Sequence, residues 1–100
     1  MTATHPVTLT AGGVSVEVDL VRRLPGIVII GLPGGAVREV GDVARQMVEE
    51  AGDLFPRLRV VVNVTPAQLR ISREAAVRKY APVIAAAVRL AGGQWTIVHT

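Results

Sequence analysis

The stretch Val14-Ser15-Val16-Glu17-Val18-Asp19-Leu20 alternates apolar and polar side chains. Period two is the repeat of a strand with one dry face, so Val14, Val16, Val18 and Leu20 are predicted to point into a core. Gly12-Gly13 marks a turn ahead of it, which makes Pro6 to Leu9 a short preceding strand. Arg22-Arg23-Leu24-Pro25-Gly26 reads as a turn, with Pro-Gly as the punctuation. Gly26 to Ile30 is apolar without a break, the pattern of a central strand covered on both faces.

The period then changes. From Gly35 or Ala36 to about Ala51 the apolar residues Val37, Val40, Ala44, Met47, Val48 and Ala51 fall on one helical stripe. Arg38 with Asp42, and Arg45 with Glu49, stand four apart on the solvent side. Gly52 is placed to cap the C-terminus. Gly41 inside the helix costs about 1 kcal/mol relative to alanine, which points to close packing there. Arg57 to Val64 is predicted as the third strand, ended by Pro66. Ala67 to Lys79 reads as a loop or a broken helix. Pro82 suits the first turn of a new helix, in which Val83 to Ala91 is apolar almost all round and must be buried. Gly92-Gly93 is expected to stop that helix, and Trp95 to His99 to form a last strand.

Composition narrows this picture. One hundred residues make one domain, 1–100, with chain enough for one modest core. Half of the residues are hydrophobic while Phe55, Tyr80 and Trp95 are the only aromatics, so the core must be built from branched aliphatics. There is no cysteine, hence no disulfide framework and no thiolate metal site. The first residues, Met1 to Pro6, lack the basic start and apolar run of a signal peptide. Pro82 to Ala91 is about half the length of a membrane span. A soluble cytoplasmic protein, with no membrane partner, is the expectation. Ten of the eleven cations are arginine and the net charge is +3, a mild excess that permits phosphate recognition without requiring it.

Two short blocks carry more information than composition. Gly26 to Val40 reads Gly-Ile-Val-Ile-Ile-Gly-Leu-Pro-Gly-Gly-Ala-Val-Arg-Glu-Val, and Val62 to Leu69 reads Val-Asn-Val-Thr-Pro-Ala-Gln-Leu. Together with Phe55-Pro56 they resemble, in order and spacing, the N-terminal domain of magnesium-chelatase-like ATPases of the ComM type. Members of that family show GLPxxAVxES, then GFxFP, then VNLAPADL, and the likeness extends over about Val14 to Gln94. Val40 stands where the family usually has serine, Gly41-Asp42-Val43-Ala44 replaces a more basic segment, and Arg70 to Ala81 departs from the family pattern. The resemblance implies an α+β half-domain of the ribosomal protein S5 domain 2-like, Lon-protease-like type. Such a half-domain has a small mixed sheet with two main helices on one face.

Each candidate for chemistry has a plainer reading beside it. The turn Gly31, Leu32, Pro33, Gly34, Gly35 precedes a helix, where backbone N–H groups favour anions. A Walker loop would continue with Gly-Lys-Ser/Thr, whereas Ala36-Val37-Arg38 follows here, so the turn is read as a fold marker. The likeness to the Lon fold raises Ser72 and Lys79 as a nucleophile–base pair. In a helix they would lie about 10 Å apart along the axis, which favours a capping role for Ser72. His5 and His99 have no ligand partner at metal spacing. Glu49, Glu50 and Asp53 read as solvated surface. Arg57, Arg59, Arg70, Arg73, Arg78 and Lys79 are the candidate nucleic-acid contacts, Arg57 and Arg59 sharing one side of a strand by alternation.

No catalytic, cofactor-binding or metal residue is therefore expected, and no cofactor. The resemblance implies a non-enzymatic accessory and oligomerisation domain whose motor is absent from this chain. Its expected partners are further copies of itself or an AAA+ ATPase, with DNA as a further ligand of its arginines. The alternative is a small stand-alone homo-oligomeric regulatory protein that shares the fold without the role.

Overall fold

The computed structural model describes residues 6–99. Their order is β1 (Val7–Ala11), β2 (Val14–Val21), β3 (Gly26–Ile30), α1 (Gly34–Glu50), β4 (Arg59–Thr65) and α2 (Arg73–His99). The strands form one mixed sheet in the order β1-β2-β4-β3, with β1/β2 and β2/β4 antiparallel and β3/β4 parallel. The class is thus α+β, with both helices on one face of the sheet: α2 packs on β1 and β2, α1 on β3, and the helices on each other.

Register explains which residues meet. One row across the sheet is Val7, Val18, Val62, Ile29; its neighbours are Leu20, Val60, Ile27 and Leu9, Val16, Val64. The three valines and the leucine expected from β2 are all buried, as are Val60, Val62 and Val64. Burying each such side chain contributes about 1.5–3 kcal/mol, so this aliphatic layer and the helix stripes above it supply most of the stability. On α1 the stripe is Ala36, Val40, Gly41, Ala44 and Val48. A Cβ on Gly41 would lie 3.0 Å from Ile27 Cγ2, so the glycine lets α1 approach β3 closely. Gly52, at φ 92°, ends α1: its N–H donates to the Glu49 carbonyl and that of Asp53 to the Val48 carbonyl, a Schellman arrangement.

Four sequence expectations need correction. β3 is an edge strand and not a central one: it pairs only with β4 among the described residues, and Val28 and Ile30 face outward at 38% and 52% exposure. Its apolar run covers a dry face and an open one. The third strand begins at Arg59, two residues later than expected. Pro82 lies inside α2 and does not start a helix. The ring sits on the exposed side. Its cost of about 3 kcal/mol is offset by burial of Tyr80, Ala81, Ile84 and Ala85 around it. Finally, Trp95 to His99 continue α2 and form no strand. Gly92 and Gly93 keep helical φ, and the Thr96 hydroxyl donates back to the Gly92 carbonyl at 3.0 Å. Helix established over five preceding turns overrides the β-branched composition of its last one.

The two helices run parallel. Glu39 in the first half of α1 meets Arg73 at the start of α2 (3.5 Å), and Asp53 just beyond α1 meets Arg89 farther along α2 (2.6 Å). Both therefore start at the same end of the sheet, where their entry loops are tied: the Gln68 N–H donates to the Gly31 carbonyl at 2.7 Å.

Two predictions follow from this packing. Gly31 has φ 107°, and a Cβ there would lie 2.6 Å from the Val64 carbonyl oxygen. Gly31→Ala should lose roughly 2–3 kcal/mol in urea unfolding. Gly34→Ala, where a Cβ meets nothing within 4 Å, should be neutral or slightly stabilising; equal losses would refute the close-approach argument. Tyr80 is buried, and no hydrogen-bond partner for its hydroxyl exists among the described residues. Tyr80→Phe should therefore match or exceed the parent by up to about 1 kcal/mol. Burial also raises the Tyr80 pKa above 10.0. The fold holds the neutral phenol, so stability is level below pH 10 and falls as pH rises through the folded value. Alkaline melts of the two proteins should diverge above pH 10, with the parent falling faster.

Candidate functional site

A recess lies at the end of the sheet where β2 finishes, β3 and β4 begin, and both helices are past their midpoints. It is an open groove of about 1060 Å³. Its apolar lining includes Leu20, Phe55, Leu58 and Val88, and its charged lining is Arg22, Arg45, Arg57, Arg89, Glu49 and Asp53. The chain builds it by turning twice. The Gly52 cap sends residues 53–58 back beneath α1, and Phe55 buries itself while Pro56 packs beside Gly92 of α2.

The guanidinium groups are held in different ways. Arg45 lies over the Phe55 ring at 4.2 Å from its centroid, and Arg22 over Trp95 at 5.1 Å. Such contacts fix the plane of a guanidinium while leaving its edge donors available. Arg89 is engaged by Asp53 at 2.6 Å. Arg57 is exposed, and among the described residues no carboxylate pairs with it. The groove thus collects positive charge above an apolar floor. It can hold anionic groups by forked hydrogen bonds.

The sequence-derived candidates separate into two places. Arg57 lines the groove. Arg59, the first residue of β4, is half-buried and donates from Nε to the Leu24 carbonyl at 3.2 Å. Because β4 starts at Arg59, strand alternation does not relate the two. Arg70, Arg73, Arg78 and Lys79 belong to the opposite end, on the entry loop and first turns of α2, with Arg73 paired to Glu39. No single patch unites the six.

The Gly31 to Gly35 turn behaves as a joint between strand and helix. Leu32 is buried, the Pro33 carbonyl accepts from Ala36 and Val37, and Gly34 and Gly35 are exposed. Ser72 caps α2, accepting from the Ala75 N–H at 3.2 Å. Lys79 stands over the Tyr80 ring at 5.6 Å, and no hydrogen bond joins it to Ser72 among the described residues. His5 and the side chain of His99 lie outside the described residues. Among the described residues no cluster of three or more His, Asp or Glu could hold a metal ion, and no helix is long and apolar enough to cross a membrane. Arg38 and Asp42 are both exposed, and among the described residues neither they nor Arg45 and Glu49 form an ion pair.

Sequence reasoning missed the groove itself. Its available signals were Arg89, the one charge in an otherwise apolar helical run, and the placement of two of the three aromatics beside it. Reading Trp95 as strand hid the connection.

Comparison with known proteins gives a consistent likeness. The family model described as subunit ChlI of Mg-chelatase matches residues 16–91. The uncharacterized protein YifB of Escherichia coli is 33% identical over 61 residues, covering 61% of this chain and 12% of that protein. The uncharacterized protein Rv2897c of Mycobacterium tuberculosis is 36% identical over 56 residues, covering 56% of this chain and 11% of that protein. Competence protein ComM of Haemophilus influenzae is 38% identical over 56 residues, with the same coverage, 56% and 11%. The chain thus spans about one eighth or less of the length of these curated relatives.

Proposed function

The chain belongs to the family of the Mg-chelatase subunit ChlI, and we propose that it acts there as a non-enzymatic assembly domain. In this reading it is an accessory element of the ComM type, with an S5 domain 2-like fold. It works by packing against further copies of itself or against an AAA+ ATPase of the family. The order of its elements and the placement of both helices on one face support that classification. Ser72, the candidate nucleophile of the Lon-like reading, caps a helix instead.

The observation that carries the proposal is the outer face of the sheet. Across it, Asp19 stands beside Val61 and Val28, and Glu17 beside Asn63 and Ile30. The face is therefore polar on β2 and apolar toward β3, whose outer edge has no strand partner among the described residues. That edge carries no charge and no proline in Gly26–Ile30. Natural sheets usually protect such an edge, and an unprotected one pairs with another chain. Two copies meeting along β3 would join their apolar corners into one stripe, in the isologous manner of a two-fold dimer. DNA contact is the subsidiary part of the proposal, and it rests on the exposed Arg70, Arg78 and Lys79 at the start of α2 and on Arg57 at the other end.

Light scattering across a concentration series tests the proposal. The parent should self-associate. Ile30→Glu should remain monomeric with an unchanged melting temperature, because the side chain is already half exposed. A parent that stays monomeric throughout, and recovers no family ATPase when purified from its host, would overturn the assembly role.

A further inference from the structure

We propose that the groove between the ends of α1 and α2 is a docking site for an acidic segment of a partner protein. The segment would be one in which aspartate or glutamate alternates with aliphatic or aromatic side chains. This surface lies at the other end of β3 and β4 from the helix starts and does not involve the outward residues Val28 and Ile30.

Charge complementarity is the first argument. Four guanidinium groups from four separate parts of the chain, Arg22, Arg45, Arg57 and Arg89, meet two carboxylates, Glu49 and Asp53. Among the described residues, only Arg89 of these four is neutralised by a direct ion pair. Arg45 and Arg22 are held by ring faces, so less rotamer freedom remains to be lost when a ligand binds. A carboxylate offers two oxygens to such a fork, and an Arg–carboxylate pair is frequently bidentate.

The apolar component selects the class of ligand. Leu54 stands at the rim of the groove at 93% exposure, above a floor that includes Leu58 and the buried Phe55. A large aliphatic side chain presented to water beside arginines suits a ligand that brings both carboxylates and apolar anchors. A phosphate backbone would leave this floor and rim wet. Strands of nucleic acid are typically held by bases stacked on open aromatic faces. Here Phe55 is buried, and guanidinium groups lie over both rings. The observations therefore favour an acidic, amphipathic peptide over single-stranded nucleic acid.

Trp95 is the only tryptophan of the chain and lines this groove, so its emission reports occupancy directly. The probes are a synthetic peptide alternating Glu and Leu, the same peptide with Gln for Glu, and an oligothymidylate. The Glu–Leu peptide should shift Trp95 emission saturably, while the Gln–Leu peptide should not. Arg57→Glu should weaken binding about tenfold, the loss expected on reversing one close charge pair. It should leave the melting temperature unchanged, since Arg57 makes no ion pair among the described residues. Leu54→Ser should weaken binding as well, and Arg70→Glu, outside the groove, should not. The inference is overturned if the Glu–Leu peptide gives no shift, or binds no better than its Gln counterpart. It is equally overturned if oligothymidylate occupies the groove more tightly than the peptide does.

Discussion

Both long helices lie on the same face of a four-stranded sheet, and the rest of the structure depends on that one-sidedness. β3 and β4 run parallel and neighbouring, and each feeds a helix at the same end. The helices consequently run side by side in the same direction, joined near their starts by Glu39 and Arg73 and farther on by Asp53 and Arg89. They bury one row of aliphatic side chains after another on the inner face, and nothing in the described residues lies over the outer one. The inner face is closed and the outer one is open. Under the proposed assembly role, packing against another surface covers that open face.

The two ends of the sheet have different physical characters. At the helix starts, backbone approaches backbone: the Val64 carbonyl leaves no room for a Cβ on Gly31, whose own carbonyl accepts from the Gln68 N–H, while Ser72 caps α2. Little space is left there, and the glycine–proline turn serves geometry. At the other end the chain opens. The Gly52 cap and the 53–58 segment hold the helices away from the strand ends, and the gap is lined by arginines that rings and one carboxylate hold in position. A family motif thus marks the closely packed end, and the proposed docking groove lies at the end the motif does not describe.

Much of this was legible in the sequence where one periodicity acted alone. The alternation in Val14 to Leu20 named its buried residues, because that strand has one dry face. Of the expected α1 stripe, Val40, Ala44 and Val48 are buried, Val37 and Met47 half-buried, and Ala51 exposed past the helix end. Reading failed where a local signal was outweighed by neighbours. Ile27 to Ile30 look the same whether one face or two are covered, so the edge position of β3 was hidden. Pro82 and Gly92-Gly93 are strong punctuation, yet the contacts of Tyr80, Ile84 and Val88 carry α2 through them. The groove was the least legible part. Arg22, Arg45, Arg57 and Arg89 are scattered along the chain, and only the fold brings them together.

Amide hydrogen exchange at low and high protein concentration tests the unfinished outer face most directly, because the two edges of one sheet serve as each other's control. Self-association through β3 predicts that protection of Gly26–Ile30 rises with concentration while that of Val7–Ala11, the opposite edge, stays constant. Exchange that is independent of concentration at both edges would contradict it.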